Sequence, residues 1–297
     1  ATRTISSSLG FDVDMSMTYW RSGGSAPTTT ASLMDKLRGI YYELFTYDTA
    51  AESQNSNTGP RYSTRVSRAF DLHDYGVEQL NQNGQALLSY VFSRAPGFMD
   101  VVAYSGTGAN PLSVNHNLTV PPELMITKRR NGAVSWMVGV PSVSLGGFLN
   151  TTDALSSTRW STDWSGFSPT STIFKVSDGT AGSGDNMIAY LFATLAGVSK
   201  VGSYTGTGSA VNVDCGFTAG AKFILIKRTD STGDWYTYDS VRGIVSGNDP
   251  YLLLNSSAAE VTGTDYIDPL ASGFTVTSSA PAGLNANGGT YIFLAIA

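Results

Sequence analysis

The chain repeats itself at the scale of a domain. Tyr104-Ser-Gly-Thr-Gly108 returns as Tyr204-Thr-Gly-Thr-Gly208, an offset of 100 residues. Lys128-Arg129 returns as Lys227-Arg228 and Trp136 returns as Trp235, both offset by 99. The first third keeps the register at longer range. Asp35-Lys-Leu-Arg-Gly39 matches Asp239-Ser-Val-Arg-Gly243, and Asn83-Gly84 matches Asn287-Gly288, each offset by 204. Ala50-Ala51-Glu52 matches Ala258-Ala259-Glu260 after a further shift of four residues, the size of one loop insertion. A period near one hundred residues is too long for a solenoid and suits a small autonomous domain. The chain therefore divides into three related modules, residues 1–93, 94–195 and 196–297, and a string of like modules favours binding or structure over a single catalytic centre.

Strand signals dominate each module. Val101-Val-Ala-Tyr104, Leu124-Met-Ile-Thr-Lys128, Met187 to Ala193, Phe223-Ile-Leu-Ile-Lys227 and Tyr291 to Ile296 are short runs rich in β-branched and aromatic residues, bounded by Gly with Ser, Asn or Asp. Phe223 to Ile226 is apolar without alternation, which predicts a strand covered on both faces. The best helix candidate is Ala31 to Gly39, with Ser32 as its cap and Gly39 as its stop. Modules two and three share an order: a Tyr-(Ser/Thr)-Gly-Thr-Gly hairpin, a Lys-Arg strand, a Trp strand, a Gly-Phe step (Gly166-Phe167, Gly273-Phe274) and a closing apolar strand. Module one lacks the opening hairpin. Its first strand, Phe11 to Met17, stands where Phe223 to Lys227 stands, so a sheet edge is left for Ala1 to Leu9 or for a partner chain to fill.

Hydrophobic residues make up 41% of the chain, enough for packed cores, whereas charged residues make up only 14%. The net charge of −5 supplies no footprint for nucleic acid or an anionic membrane. Cys215 is the only cysteine, which excludes an intrachain disulfide and a thiolate metal site. No run approaches the roughly 20 apolar residues of a membrane span, and the first residues carry no apolar stretch of signal-peptide length.

Few residues invite a chemical reading. The Tyr-x-Gly-x-Gly motifs stop short of a dinucleotide fingerprint, because Pro111 and Val211 stand where a third glycine belongs and no helix follows. They read as turns that use the positive φ of glycine. Lys128, Arg129, Arg130, Lys227 and Arg228 sit at strand ends and either clamp an anion or cap the strands against edge pairing. Trp136 and Trp235, with Trp20 as their counterpart, read as core. Arg159, Trp160, Asp163 and Trp164 lie in a segment that module three replaces. They suit either a glycan platform, flat aromatic faces flanked by polar groups, or a subunit interface. There is no G-x-S-x-G and no H-E-x-x-H, and His73 and His116 fall in different modules. Asp12 with Asp14, and Asp265 with Asp268, read as structural or solvating acids. Asn150 and Asn255 begin sequons at matching places, where a turn role is expected.

Val201-Gly-Ser-Tyr-Thr-Gly-Thr-Gly208, Phe223 to Arg228, Asp234-Trp-Tyr-Thr-Tyr-Asp239, Val241-Arg-Gly243 and Tyr291-Ile-Phe-Leu-Ala295 together resemble a repeated module of structural proteins in tailed bacteriophages, notably of marine bacteria and cyanobacteria. The resemblance is strongest over module three, good over module two and only patterned over module one. It implies an all-β chain of three tandem jelly-roll or concanavalin-A-like β-sandwiches, the first incomplete. It also implies a virion location, assembly in the host cytoplasm and a symmetric homo-oligomer, a trimer first. It implies no catalytic residue, cofactor or metal. The expectation is thus a non-enzymatic tail fibre or similar appendage touching host surface glycans through shallow multivalent sites. Its rival is a capsid or tail decoration protein, or connector, bound to other virion proteins and docked by strand addition through module one. A polysaccharide depolymerase is a third reading, and it requires paired carboxylates in one groove.

Overall fold

The computed structural model describes residues 3–6, 10–24, 31–39, 42–54, 61–62, 69–72 and 84–297. Almost all regular structure is β. Module one carries β1 (Arg3–Ser6), β2 (Met15–Ser22), β3 (Ser32–Asp35), β4 (Tyr42–Phe45), β5 (Ser53–Gln54), β6 (Arg61–Tyr62), β7 (Ala69–Leu72) and β8 (Ala86–Phe92). Module two carries β9 (Met99–Ser105), β10 (Leu112–Asn115), β11 (Leu124–Arg129), β12 (Met137–Val140), β13 (Leu145–Phe148), helix α1 (Ser157–Asp163), β14 (Ile173–Val176) and β15 (Asn186–Phe192). Module three carries β16 (Ser199–Thr205), β17 (Val211–Asp214), β18 (Phe223–Arg228), β19 (Trp235–Asp239), β20 (Leu252–Leu253), β21 (Ile267–Leu270), β22 (Gly273–Val276), helix α2 (Ala282–Asn285) and β23 (Thr290–Ile296).

Each module builds one five-stranded antiparallel sheet and one small sheet. The large sheets run β5-β4-β3-β2-β8, β13-β12-β11-β15-β9 and β20-β19-β18-β23-β16. The small ones are β1-β7-β6, β10-β14 and β17-β22-β21. The registers align the modules residue by residue: Met15 pairs with Phe92, Leu124 with Phe192 and Phe223 with Ile296. In residues 94–195 and 196–297 a large sheet packs on a small one, and residues 1–93 show the same strand order without, among the described residues, the edge strand that β9 and β16 supply.

The large sheets of modules two and three are covered on both faces, and this is why their strands read as unbroken apolar runs. One face of all three sheets lines a single shared core: Met15, Met17 and Tyr90 from module one, Leu124, Ile126 and Tyr190 from module two, and Phe223, Leu225 and Leu294 from module three. The opposite faces pack beneath the small sheets. Ile224, Ile226 and Phe293 meet Phe274 and Val276, and Met125 and Leu191 meet Phe174 and Val176. Each fully buried side chain of this kind stabilises the fold by about 1.5–3 kcal/mol. The modules are therefore sandwiches outside and one common core inside, an arrangement that tandem independent domains would not have.

Several local expectations give way. Ala31 to Gly39 forms β3 and a turn rather than a helix, because Leu33 is buried in the shared core and Met34 on the opposite face. Burial on both faces removes the alternation that marks a strand. The strand expected from Phe11 is β2 and begins at Met15, and Asp14 lies ahead of it, accepting from the backbone N–H of Arg94 at 2.8 Å. β9 and β10 belong to different sheets, as do β16 and β17, so the glycine motif crosses between sheets instead of turning a hairpin. A Cβ at Gly106 would lie 1.9 Å from the carbonyl oxygen of Gly182, and Gly108 takes φ +78°. Both glycines are thus required, one by close approach and one by a left-handed turn. The true partner of Phe274 is Phe174, which faces Val114 as Phe274 faces Val213, and not Phe167. β1 pairs with β7 in the small sheet, so Arg3 to Ser6, the described part of the segment Ala1 to Leu9, does not fill the edge beside β8.

Candidate functional site

The chemistry-bearing side chains gather at the junctions between modules, and these junctions close a ring. The backbone makes the same contact three times. Glu52 N–H donates to the Arg130 carbonyl at 2.7 Å, Leu155 N–H to that of Thr229 at 3.0 Å, and Glu260 N–H to that of Arg21 at 3.1 Å. Module two thus meets one, three meets two, and one meets three.

Two junctions are polar. Between modules one and two, the Tyr190 hydroxyl donates to Asp35 at 2.7 Å, and Arg38 bridges Asp35 and Glu52. Glu52 also takes a forked pair of hydrogen bonds from Arg130, the shortest at 2.9 Å. Between modules three and one the set recurs: the Tyr90 hydroxyl donates to Asp239 at 2.9 Å, Arg242 bridges Asp239 and Glu260, and Arg21 forks onto Glu260. Arg242 also donates to the Tyr90 oxygen at 2.9 Å. The third junction replaces every member. Val140 stands for the aspartate, Val143 three residues on for the bridging arginine, Leu294 for the tyrosine, Leu155 for the glutamate and Thr229 for the forked arginine, as the registers and spacing require. The matched Asp-x-x-Arg and Ala-Ala-Glu segments of the sequence are therefore junction parts, and their spacing within one module hid that role.

The two tryptophans in matching positions are core, as expected, and they reach across junctions. The Trp136 indole donates to the Phe45 carbonyl at 2.9 Å, and that of Trp235 to the Phe148 carbonyl at 3.2 Å. Asn150 and Asn255 hold the backbone N–H groups of Trp136 and Trp235, which is the turn role expected of them. Trp20 is not the counterpart. Ala31 is, since its carbonyl accepts from Thr46 N–H as that of Trp136 accepts from Leu149 and that of Trp235 from Leu254.

The expected anion contacts are all internally partnered. Lys128 and Lys227 are fully buried. Lys128 donates to the carbonyls of Thr49, Arg129 and Gly132, and Lys227 to those of Thr152 and Gly233. Thr49 and Thr152 belong to the preceding module, so each ammonium is a junction clamp. Burial pulls both from 10.5 down to about 8, with Asp48 and Asp234 respectively opposing that fall. Arg129 pairs with Asp185 at 2.8 Å, Arg130 with Glu52 and Arg228 with Asp230 at 2.9 Å. None offers a free cation to a phosphate or an acidic sugar.

The expected platform is also dismantled. Trp160 and Trp164 are buried at 5% and 0% exposure. Trp160 lies on α1 and Trp164 caps its C-terminal end one turn later, and both join the core under module two. The Trp164 indole donates to the Val138 carbonyl at 3.0 Å. Arg159 covers the Phe148 ring at 4.4 Å and pairs with Asp163 at 3.5 Å, Asp163 itself being buried. The segment was legible as a helix: Ser156 caps it by accepting from Arg159 N–H, and the two tryptophans are spaced i, i+4. The Ser and Thr around the two indoles made them read as exposed.

Among the described residues no cluster of three or more His, Cys, Asp or Glu is placed to hold a metal ion, and no helix is long and apolar enough to cross a membrane. Asp249 is the most displaced acid. Burial raises it to about 7, against hydrogen bonds from the N–H groups of Tyr266 and Ile267. Its acidic neighbours Asp265 and Asp268 raise it further. It holds a loop by accepting those N–H groups. His116 is occupied by the Thr170 carbonyl and the N–H of Leu118, and His73 lies outside the described residues. A groove of about 650 Å³ runs along β8, walled by Leu88, Tyr90 and Phe92 on one side and by Phe223 and Val241 on the other.

No curated protein and no solved structure matches the chain. Residues 92–297, which carry modules two and three, match a family model, and the chain belongs to that family: the domain of unknown function DUF7483.

Proposed function

We propose that this protein is a non-enzymatic structural component of a tailed-phage virion, acting as a connector or decoration protein that docks against other virion proteins. The observation that carries this reading is the closed ring. The side chains expected to contact a ligand are engaged inside the fold, Arg130, Lys128 and Lys227 at the junctions themselves, and an apolar groove runs along a strand edge. A groove of that kind accepts protein backbone and offers little to a sugar or a charged substrate. The bacteriophage-like motifs of module three point the same way. Glycan contact through Arg159, Trp160, Asp163 and Trp164 does not form part of the reading, because both indoles are buried. Three like modules in one ring also occupy the places that three chains of a trimer would fill, so ring closure needs no oligomer.

The test is immunogold labelling of purified particles with antibodies raised against residues 94–297, paired with peptide mass spectrometry of the same particles. Label on capsid or tail at a fixed site supports the proposal. Recovery of the protein from lysate with none in the particles would discard it.

A further inference from the structure

The three large sheets differ at one edge. β15 is flanked by β11 and β9, and β23 by β18 and β16, whereas β8 pairs only with β2 among the described residues. A strand with one neighbour leaves alternate N–H and C=O groups facing outward. The loss shows in burial. Leu88 is half-buried, while Ile188 and Ile292 at the same register are 0% and 4% exposed. The groove described above runs along this edge. Its rim gathers three of the large apolar side chains that are exposed elsewhere singly: Val241 at 89%, Val198 and Phe11. Its far wall, Phe223 and Asp239, continues the junction between modules three and one.

We propose that this groove is the seat of a seven-residue β-strand that runs antiparallel to Ala86–Phe92, supplied by polypeptide directly upstream of β1. The sister modules define the occupant. β9 pairs Met99 to Ser105 against Phe192 to Asn186, and β16 pairs Ser199 to Thr205 against Ile296 to Thr290. Position three is Val101 or Val201, pointing into the shared core, and position six is Tyr104 or Tyr204, packed on the outer face. The occupant therefore carries an apolar residue at position three and an aromatic at position six. Chain order names its source. Six residues separate β9 from β10 and five separate β16 from β17, and β1 occupies in its small sheet the place of β10 and β17. The seat belongs to the strand that enters β1 through a linker of that length. The inference stands on the strand register and not on the virion reading, so the two fail separately.

The test is amide hydrogen exchange on the 297-residue protein with the sequence of residues 99–108 fused ahead of Ala1, which leaves a five-residue link to Arg3. Tenfold or greater slowing of exchange at alternate amides of Ala86–Phe92, lost when the grafted valine at position three is changed to Asp, supports the proposal. Unchanged exchange in β8, with the rest of the protein protected as before, overturns it. Equal slowing by the unlinked ten-residue peptide and none by the fusion overturns the assigned source and makes the seat one for a strand donated by another chain.

Discussion

The polar and apolar junctions hold the same backbone contact with opposite chemistry. Where module three meets one, Tyr90, Asp239, Arg242, Glu260 and Arg21 form a buried network. Where module three meets two, Leu294, Val140, Leu155 and Thr229 fill the corresponding places. The shared geometry shows that the network is not what sets the spacing of the sheets. Burying charge carries a desolvation cost of several kcal/mol per ion, recovered only by good geometry, and an apolar replacement of similar volume is often as stable. What the network adds is a penalty for wrong pairing. Both polar junctions involve module one, the part outside the family match, while the apolar junction joins the two modules inside it.

The heaviest blow to the comparison is Arg242→Ala. It leaves Asp239 without its cation in a buried site and Glu260 with Arg21 alone, and a loss of about 3–5 kcal/mol in urea unfolding is expected. A loss under about 1 kcal/mol would mean that water reaches the junction. Next comes Leu294→Ala in the apolar junction, where an unrefilled cavity costs about 2–5 kcal/mol. Equal tolerance of both substitutions would erase the distinction between the junctions.

Lysine clamps sharpen it further, since Lys128 and Lys227 hold two junctions and Tyr19 stands at the third. Burial lowers each ammonium to about 8 in the fold, while the unfolded chain titrates near 10.5. Between those values the unfolded chain binds more protons, so stability rises with pH across that window. The wild type should gain on Lys227→Met by on the order of 1 kcal/mol from pH 8 to pH 10, read from paired denaturant melts. A gap that narrows instead would show that the charged form is the favoured one. The smallest loss is expected from rebuilding one junction in the other's image. Tyr90→Leu, Asp239→Val, Arg242→Val, Glu260→Leu and Arg21→Thr together should leave stability within about 1 kcal/mol or raise it. A loss beyond about 3 kcal/mol would show that the network carries the junction.

The all-β class was readable because strand signals are local. Phe223 to Ile226 announced a strand covered on both sides, and Asn150 and Asn255 announced turns. The junctions were not readable. Tyr90 and Asp239 lie 149 residues apart, and nothing in the neighbourhood of either names the other. The Asp-x-x-Arg and Ala-Ala-Glu repeats were visible, yet their meaning depends on a ring that only the fold supplies. Trp160 and Trp164 misled for the opposite reason: their helical spacing was local evidence for burial, and the polar residues around them outweighed it. Ala31 to Gly39 carried genuine helix formers, and pairing with β2 and β4 overrode them.

A closed ring makes the peptide links between its members redundant. Module one is tied to module two both by the short Ser93 to Phe98 segment and by a junction, and to module three by a second junction that no covalent bond crosses. A protease that nicked the segment at Ser93 to Phe98 would leave two tethered faces, each raising the effective concentration of the other. The cut pieces would migrate together until denaturant opened both faces at once. Integrity on a gel under native conditions therefore reports the junctions, and only the denatured gel reports the chain.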